Sequence, residues 1–250
     1  MISHNIHTAL AHERVSTFLT EAQAARRAKQ ARPARPRAGW ARAGWGRAGW
    51  GRRPARPQPG AEGTAAVLRD GSQVQIRPVR GSDAPLLADG FARLSARSRQ
   101  QRFLSPKHSL SEAELRFLTE VDHHDHEAIG ALSPADGRGV GIARYVRDAD
   151  DPEAAEIAVT IADDWQGRGL GTELLARLSD RARQEGIRRF TATVAYGNAA
   201  MAALLQNMGA ELTGHGPGTV DYVVDLDRPG EYGLDWWFRS ADDDRAVSSR

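Results

Sequence analysis

Cysteine is absent from all 250 residues. That excludes disulfides and thiolate chemistry and leaves nothing to argue for an oxidising compartment. No apolar run reaches the roughly 18 residues that a membrane-spanning helix needs, so neither a transmembrane segment nor a membrane partner is expected. The first residues, MISHNIHTALAHERV, lack a charged stretch followed by an apolar one and do not read as a secretory signal. The default that remains is a soluble, cytoplasmic protein. Its length allows one large domain, or one domain with appendages. A hydrophobic share of 40% supports a core, but a mean hydropathy of −0.52 places part of the chain outside it.

The formal charge of +2 conceals two unlike parts. Residues 1–62 hold 12 Lys+Arg against 3 Asp+Glu, a surplus of nine, which leaves the rest of the chain at −7. Leu10, Val15, Phe18, Leu19 and Ala22 fall on one helical stripe, so residues 1–30 are read as an amphipathic helix, marginal unless it docks. RAGW then recurs at 37, 42 and 47. Repeats this short, rich in Gly, Pro and Arg, bury no core, and residues 31–63 are expected to form a disordered basic linker. Eleven basic residues lie between 26 and 56 with no acid among them, and tryptophans stand at 40, 45 and 50. Phosphate neutralisation and base stacking make nucleic acid a candidate partner of this arm. A solvated extension, or docking onto the acidic body, are the other readings.

Beyond residue 63 apolar segments alternate between helical and strand periods. Residues 64–230 are read as one α/β domain and 231–250 as a tail. QVQIRPV (73–79) reads as a strand. SDAPLLADGFARLS (82–95) reads as a helix capped by Ser82 or Asp83, with Pro85 in its first turn. ARSRQQRFL (96–104) suggests a second helix. SEAELRFLTEV (111–121) suggests a third, in which Ser111 and Glu114 have the spacing of a capping box. HEAIGAL (126–132), GVGIARYV (139–146) and EIAVTIA (156–162) read as successive strands. A helix at 172–185, a strand at 188–196, a helix at 198–209 and a hairpin of AELTG and TVDYVVDL complete the domain.

Between AEIAVTI and the helix at 172–185 lies DDWQGRGLG, with three glycines in the five positions from Gly167 to Gly171. A Walker phosphate loop would end in Gly-Lys-Ser/Thr, but Gly171 is followed by Thr172. A dinucleotide fingerprint would need GxGxxG, and the spacing here is GxGxG. A glycine-rich turn that binds nothing is a further reading. The details fit an anion cradle better. Successive amides at a helix start, unobstructed by Cβ atoms and reinforced by the helix dipole, suit a pyrophosphate. Gly167, Gly169 and Gly171 let the backbone come close, and Arg168 can add charge at the rim.

Gln166-Gly167-Arg168-Gly169-Leu170-Gly171 resembles the Q/R-x-x-G-x-G/A signature of the GNAT superfamily of acyl-CoA-dependent N-acyltransferases. AEIAVTI is similar to the family's central strand. The helix holding Asn198, Met201, Leu204, Leu205, Met208 and Gly209 resembles its N-x-x-A-x-x-L-Y-x-x-x-G-F segment, and QIRPVRGSDAPLL resembles its opening strand and helix. The resemblance covers about residues 72–227 in the expected order. It implies a GNAT-like α/β fold: a mixed, mainly antiparallel twisted sheet flanked by helices, preceded here by the disordered N-terminal arm. It also implies acetyl-CoA as co-substrate. Gln166, Gly167, Arg168, Gly169, Leu170 and Gly171 would cradle its pyrophosphate. Backbone groups of Val159 and Ile161 would hold the pantetheine and orient the thioester. Asn198, placed as a helix N-cap, would hydrogen-bond the pantetheine as well.

Glu156 occupies the place where several protein acetyltransferases of this superfamily carry their general base. Desolvation there would raise its pKa and its basicity; a solvated strand-end glutamate is the bland alternative. The tyrosine that protonates the departing thiolate in many members is replaced here by Leu205. His123-His124-Asp125-His126 invites a metal reading, but adjacent residues on an extended segment alternate faces and cannot all converge on one ion. No metal is expected. LSARSRQQRF (94–103) and VDHHDH (121–126) resemble segments of bacterial protein lysine acetyltransferases. They imply a protein lysine, such as one in an acyl-CoA synthetase, as acceptor. The expected function is transfer of an acetyl group from acetyl-CoA to a primary amine. The alternatives are acylation of a small amine or antibiotic, or a nucleic-acid-binding or scaffold protein with a silent catalytic domain.

Overall fold

Every second residue of two late strands is buried. β6 (Arg189–Ala195) buries Phe190, Ala192 and Val194, and β8 (Thr219–Asp225) buries Val220, Tyr222 and Val224. That period of two places one face of a pleated strand on a core. The computed structural model describes residues 63–228. The expectations for the helix at 1–30, the RAGW linker and the tail at 231–250 lie outside those residues.

The remaining strands are β1 (Thr64–Val67), β2 (Gln73–Pro78), β3 (His126–Leu132), β4 (Gly139–Arg147), β5 (Ala154–Ile161) and β7 (Glu211–Gly216). All belong to one eight-stranded sheet in the order β1-β2-β3-β4-β5-β6-β8-β7. Every neighbouring pair is antiparallel except β5 with β6, so the sheet is mixed and mainly antiparallel. Helices α1 (Ala84–Arg93), α2 (Ala96–Phe103), α3 (Glu112–Thr119), α4 (Leu170–Gln184) and α5 (Ala199–Asn207) flank it.

The longest helix organises the core. Leu170, Leu174, Leu175, Leu178 and Ala182 of α4 are all buried, at the spacing that forms one helical stripe. They pack with Ile129, Ala143, Tyr145, Ile157, Phe190 and Leu205. Each fully buried leucine contributes about 1.5–3 kcal/mol relative to exposure. Gly141 permits the close approach: a Cβ there would stand 3.0 Å from both Ile161 Cδ1 and Leu170 Cδ2. On the opposite side α1 packs on α3 and β4, while α2 touches β5 and β6. Phe91 of α1 meets Phe103 of α2 edge-on at 5.7 Å.

Three local features depart from the sequence expectation. β1 was not expected, because TAAV carries little strand signal and forms only by pairing with β2. β5 begins two residues earlier than read, since Ala154 and Ala155 are buried beside β4 and β6. Asp83 stands at the α1 N-cap position but makes no side-chain cap. Its carboxylate instead receives both Arg77 guanidinium nitrogens at 2.7 Å and the Arg80 amide at 2.9 Å. The capping box at Ser111 and Glu114 forms as read.

The histidine cluster at 123–126 is structural. His123 Nδ1 lies 2.7 Å from Glu127 Oε1, His124 pairs with Glu185, and His126 stacks on Phe117 at 4.8 Å. Among the described residues, no group of three or more His, Cys, Asp or Glu side chains is arranged to hold a metal ion. None of the described helices is long and apolar enough to cross a membrane.

Two outcomes follow. Gly141→Val should destabilise the fold by about 1–3 kcal/mol through overpacking beneath α4, read by denaturant unfolding. The Glu127 hydrogen bond raises the pKa of His123. Its stabilisation is therefore full below the ordinary value of 6.5 and is lost as pH rises through the elevated one. In a pH series of melting temperatures, His123→Ala should lose more at pH 6 than at pH 9.

Candidate active site

β5 and β6 run together for only three residue pairs, Ala154↔Arg189, Ala155↔Phe190 and Glu156↔Thr191. Beyond Glu156 they part. β5 stays with β4 as far as Gly141↔Ile161, and β6 stays with β8 as far as Ala195↔Thr219. A cleft of about 940 Å³ opens between them, lined by residues 156–161 on one wall and by Thr191, Thr193 and Asn198 on the other.

The parted edge of β5 leaves backbone groups without a strand partner. Ala162 N donates to Val140 O at 2.9 Å. Ala162, Thr160 and Ala158 thus turn their polar backbone groups to β4, and alternation turns those of Val159 and Ile161 to the cleft. One of these groups is already engaged: Gln166 Nε2 donates to Ile161 O at 3.2 Å. The Ile161 amide and both Val159 groups face the cleft.

The glycine segment forms the far end of the cleft. Gly167 and Gly169 have φ of +76° and +91°, which favours glycine. Gly169 is the residue before α4, and only Glu173 N bonds back to its carbonyl. The Gln166 amide bonds Asp163 O at 3.4 Å. The amides of Gly167, Arg168, Gly169, Leu170 and Gly171 have no recorded acceptor among the described residues. They precede or begin a 15-residue helix, where orphan amides and the dipole both favour an anion.

Two members of the segment serve a different purpose from the one expected. Arg168 does not reach the cleft. Its guanidinium donates to Ser72 Oγ at 3.1 Å and Asp164 O at 2.7 Å, and lies over the Trp165 ring at 4.9 Å. It braces the loop against the β1–β2 turn. Arg69 lines the cleft instead, and its side chain has no recorded partner among the described residues. Gly171 lacks a positive φ; a Cβ there would stand 3.2 Å from Leu204 Cδ2, so this glycine serves helix packing. Arg69 carries no motif signal, because only the pairing of β1 with β2 brings it to the loop.

Asn198 caps α5, its Oδ1 accepting from Met201 N at 3.2 Å, and it lines the cleft at the same time. Leu205 is fully buried in the core, so that position offers no proton donor. Glu156 lies where the strands separate, exposed on the cleft wall. The chain itself therefore does not desolvate it, contrary to the expectation. Arg102 stands in its field: burial pushes that guanidinium's pKa down, and the Glu156 carboxylate pulls it partly back.

Asp163, at the start of the loop, ties α2 to the glycine segment. Its carboxylate accepts from Ser95 N at 2.6 Å, from Ser95 Oγ and Ser98 Oγ, and from Gln166 Nε2. Burial opposes its charge, but the hydrogen bonds from Ser98 and Ser95 outweigh it and hold the carboxyl below the usual range. Its stabilisation is thus complete above the ordinary pKa of 3.8 and drains away as pH falls below it. Asp163→Ala should speed amide exchange at the start of α2 at neutral pH, a difference from wild type that narrows below pH 3.8.

Residues 73–211 match the model of the acetyltransferase (GNAT) domain. The chain is 33% identical over 159 residues to Acetyltransferase Pat of Mycolicibacterium smegmatis, covering 64% of this chain and 47% of that protein. It thus spans about half the length of that relative. It is 39% identical over 144 residues to Acetyltransferase PA5475 of Pseudomonas aeruginosa, covering 57% of this chain and 77% of that one. The solved GNAT domain of S. lividans PAT superposes with a TM-score of 0.63 at 30% identity, over 67% of this chain and 99% of that one. The family model and the superposed domain agree: the chain belongs to the GNAT family of acyl-CoA-dependent N-acetyltransferases, whose co-substrate is acetyl-CoA.

Proposed function

We propose that this protein moves the acetyl group of acetyl-CoA to a primary amine on a partner protein, a lysine side chain, in the cytoplasm. The observation that carries the reading is the parting of β5 from β6 at Glu156↔Thr191. It sets unspent loop amides at one end of a cleft and a carboxylate at the other. Five residues of strand separate Ile161 from Glu156, about 16 Å at 3.3 Å per residue, a span suited to an extended pantetheine arm. The amides of Gly167 to Gly171 receive the pyrophosphate, beside Gln166 and with Arg69 adding charge. Val159 and Asn198 hold the pantetheine.

A lysine amine has an unperturbed pKa of about 10.4 and arrives protonated. Glu156 takes that proton, directly or through water, and the freed nitrogen lone pair forms the new C–N bond at the thioester carbon. The C–S bond breaks with its electron pair on sulfur. Leu205 stands where many members of the family place a tyrosine, so the second amine proton, shed as the amide forms, reaches the thiolate through water. Fixed amide donors along β5 polarise the thioester carbonyl, and positioning supplies much of the rate.

The acceptor assignment draws on the LSARSRQQRF and VDHHDH segments, which resemble those of bacterial protein lysine acetyltransferases. The first segment supplies Ser98, Gln101, Arg102 and Phe103 to the cleft wall. A small amine is the second reading, favoured by the apolar lining that Phe103, Phe117 and Leu118 give the cleft. Turnover with lysine peptides against turnover with small amines separates the two.

Glu156→Gln should lower kcat by about 10²–10⁴-fold, the range for a general base, with little change in the KM for acetyl-CoA. Arg69→Ala should have the opposite signature, raising that KM several-fold while kcat holds. Calorimetry with acetyl-CoA and desulfo-CoA tests the premise. If neither binds, the reading is wrong.

A further inference from the structure

Most arginines of the domain are spent on carboxylates. Arg77 grips Asp83, Arg147 meets Asp125, Arg181 meets Glu127 and Glu185, and Arg189 meets Asp151. Two arginines at the acceptor end of the cleft depart from this pattern. Arg144, on β4, is 5% exposed; it donates to Leu118 O at 3.1 Å and lies 3.3 Å from His126 Nε2. Arg102, in the last turn of α2, is half-buried over the Phe103 ring at 5.0 Å. Neither makes an ion pair with a carboxylate among the described residues, and Arg102 has no recorded hydrogen bond there. Both line the cleft that holds Glu156.

Their placement is a consequence of register. Val146↔Glu156 and Arg144↔Ala158 are alternate pairs of the β4–β5 ladder, so Arg144 and Glu156 project from the same face two residues apart along the sheet. α2 lies over that face through its contacts with β5 and brings Arg102 to it. Burial, with the like charge of Arg102, pushes the Arg144 guanidinium down to about 9, still cationic at neutral pH. The nearby Lys107 adds no net charge, because Glu114 holds it at 2.6 Å. The Glu156 charge offsets the burial of Arg102 only in part; a desolvated cation with no carboxylate in contact is costly, and the cost falls when a ligand brings one.

We infer that Arg102, backed by Arg144, is a recognition subsite for a carboxylate that the acceptor carries a few ångströms from its reacting amine. The inference rests on the acetyl-transfer reading and names its substrate class. The carboxylate belongs either to a free amino acid or to an acidic residue beside the target lysine. In both cases the ammonium faces Glu156 and the carboxylate faces Arg102, a zwitterion laid across a charge pair of matching order.

The test uses the full chain and an acceptor panel: free amino acids with their carboxamides, and lysine peptides with Glu, Gln or Lys beside the target. The carboxylate members should exceed their neutral counterparts about tenfold or more in kcat/KM, the scale of one hydrogen bond to a charged group. Arg102→Gln should erase that preference while the melting temperature and acetyl-CoA affinity hold, and Arg102→Lys should keep part of it. The arm showing the preference identifies the carboxylate's source. No preference in the wild type, or one that survives Arg102→Gln, overturns the subsite. Calorimetry of the same panel with desulfo-CoA present repeats the comparison without turnover. Carboxylate-dependent binding without any transfer would support the subsite and sink the acetyl-transfer reading instead.

Discussion

A β-sheet is held together by backbone hydrogen bonds, and the function of this domain depends on one place where they stop. After Glu156↔Thr191 the two central strands are each kept by an outer partner and lost by one another. Sheet twist accumulates separately in the halves β1–β5 and β6–β8, and the parallel junction between them is the weaker kind of pairing. The separation creates the cleft and turns the Val159 and Ile161 backbone groups towards it. The same separation sets Glu156 at the fork.

The loop at the open end depends on that arrangement as well. The β5–α4 connection starts where β5 ends, so the first amides of α4 look back along the cleft. Its shape is held by contacts outside the helix: Arg168 ties it to the β1–β2 turn, and Asp163 ties it to α2. One carboxylate therefore links the cofactor end to the helix that carries Arg102. The two ends of the cleft share a frame, although their side chains come from segments some 65 residues apart in sequence.

Much of this was legible before any coordinates. The strand and helix periods gave the order of elements from residue 73 onward, because alternating burial and helical stripes are local properties. The glycine spacing located the loop whose amides lack an acceptor at the start of α4, and Asn198 read as an N-cap because capping needs only a side-chain oxygen and a helix start. Other features were not legible. TAAV forms a strand only because β2 offers an edge. Arg168 reads as a charge at the rim of the cradle, yet Ser72, Asp164 and Asp70 claim it; Arg69 reads as nothing and stands in the cleft. Gly171 reads as part of the cradle, but Leu204 sets its need for a missing Cβ.

The sequence by itself determined which segments become strands, which become helices, and where a backbone is free enough to approach a phosphate. These depend on residues within a few positions of one another. Only the tertiary structure decided which charges are spent and which remain. That depends on the register of β4 against β5 and on how α2 lies across them, and both are set by long-range packing. Arg144 and Arg102 look like two of many arginines in the chain. They differ because the fold brings them to the cleft wall beside Glu156, and among the described residues neither forms an ion pair with a carboxylate.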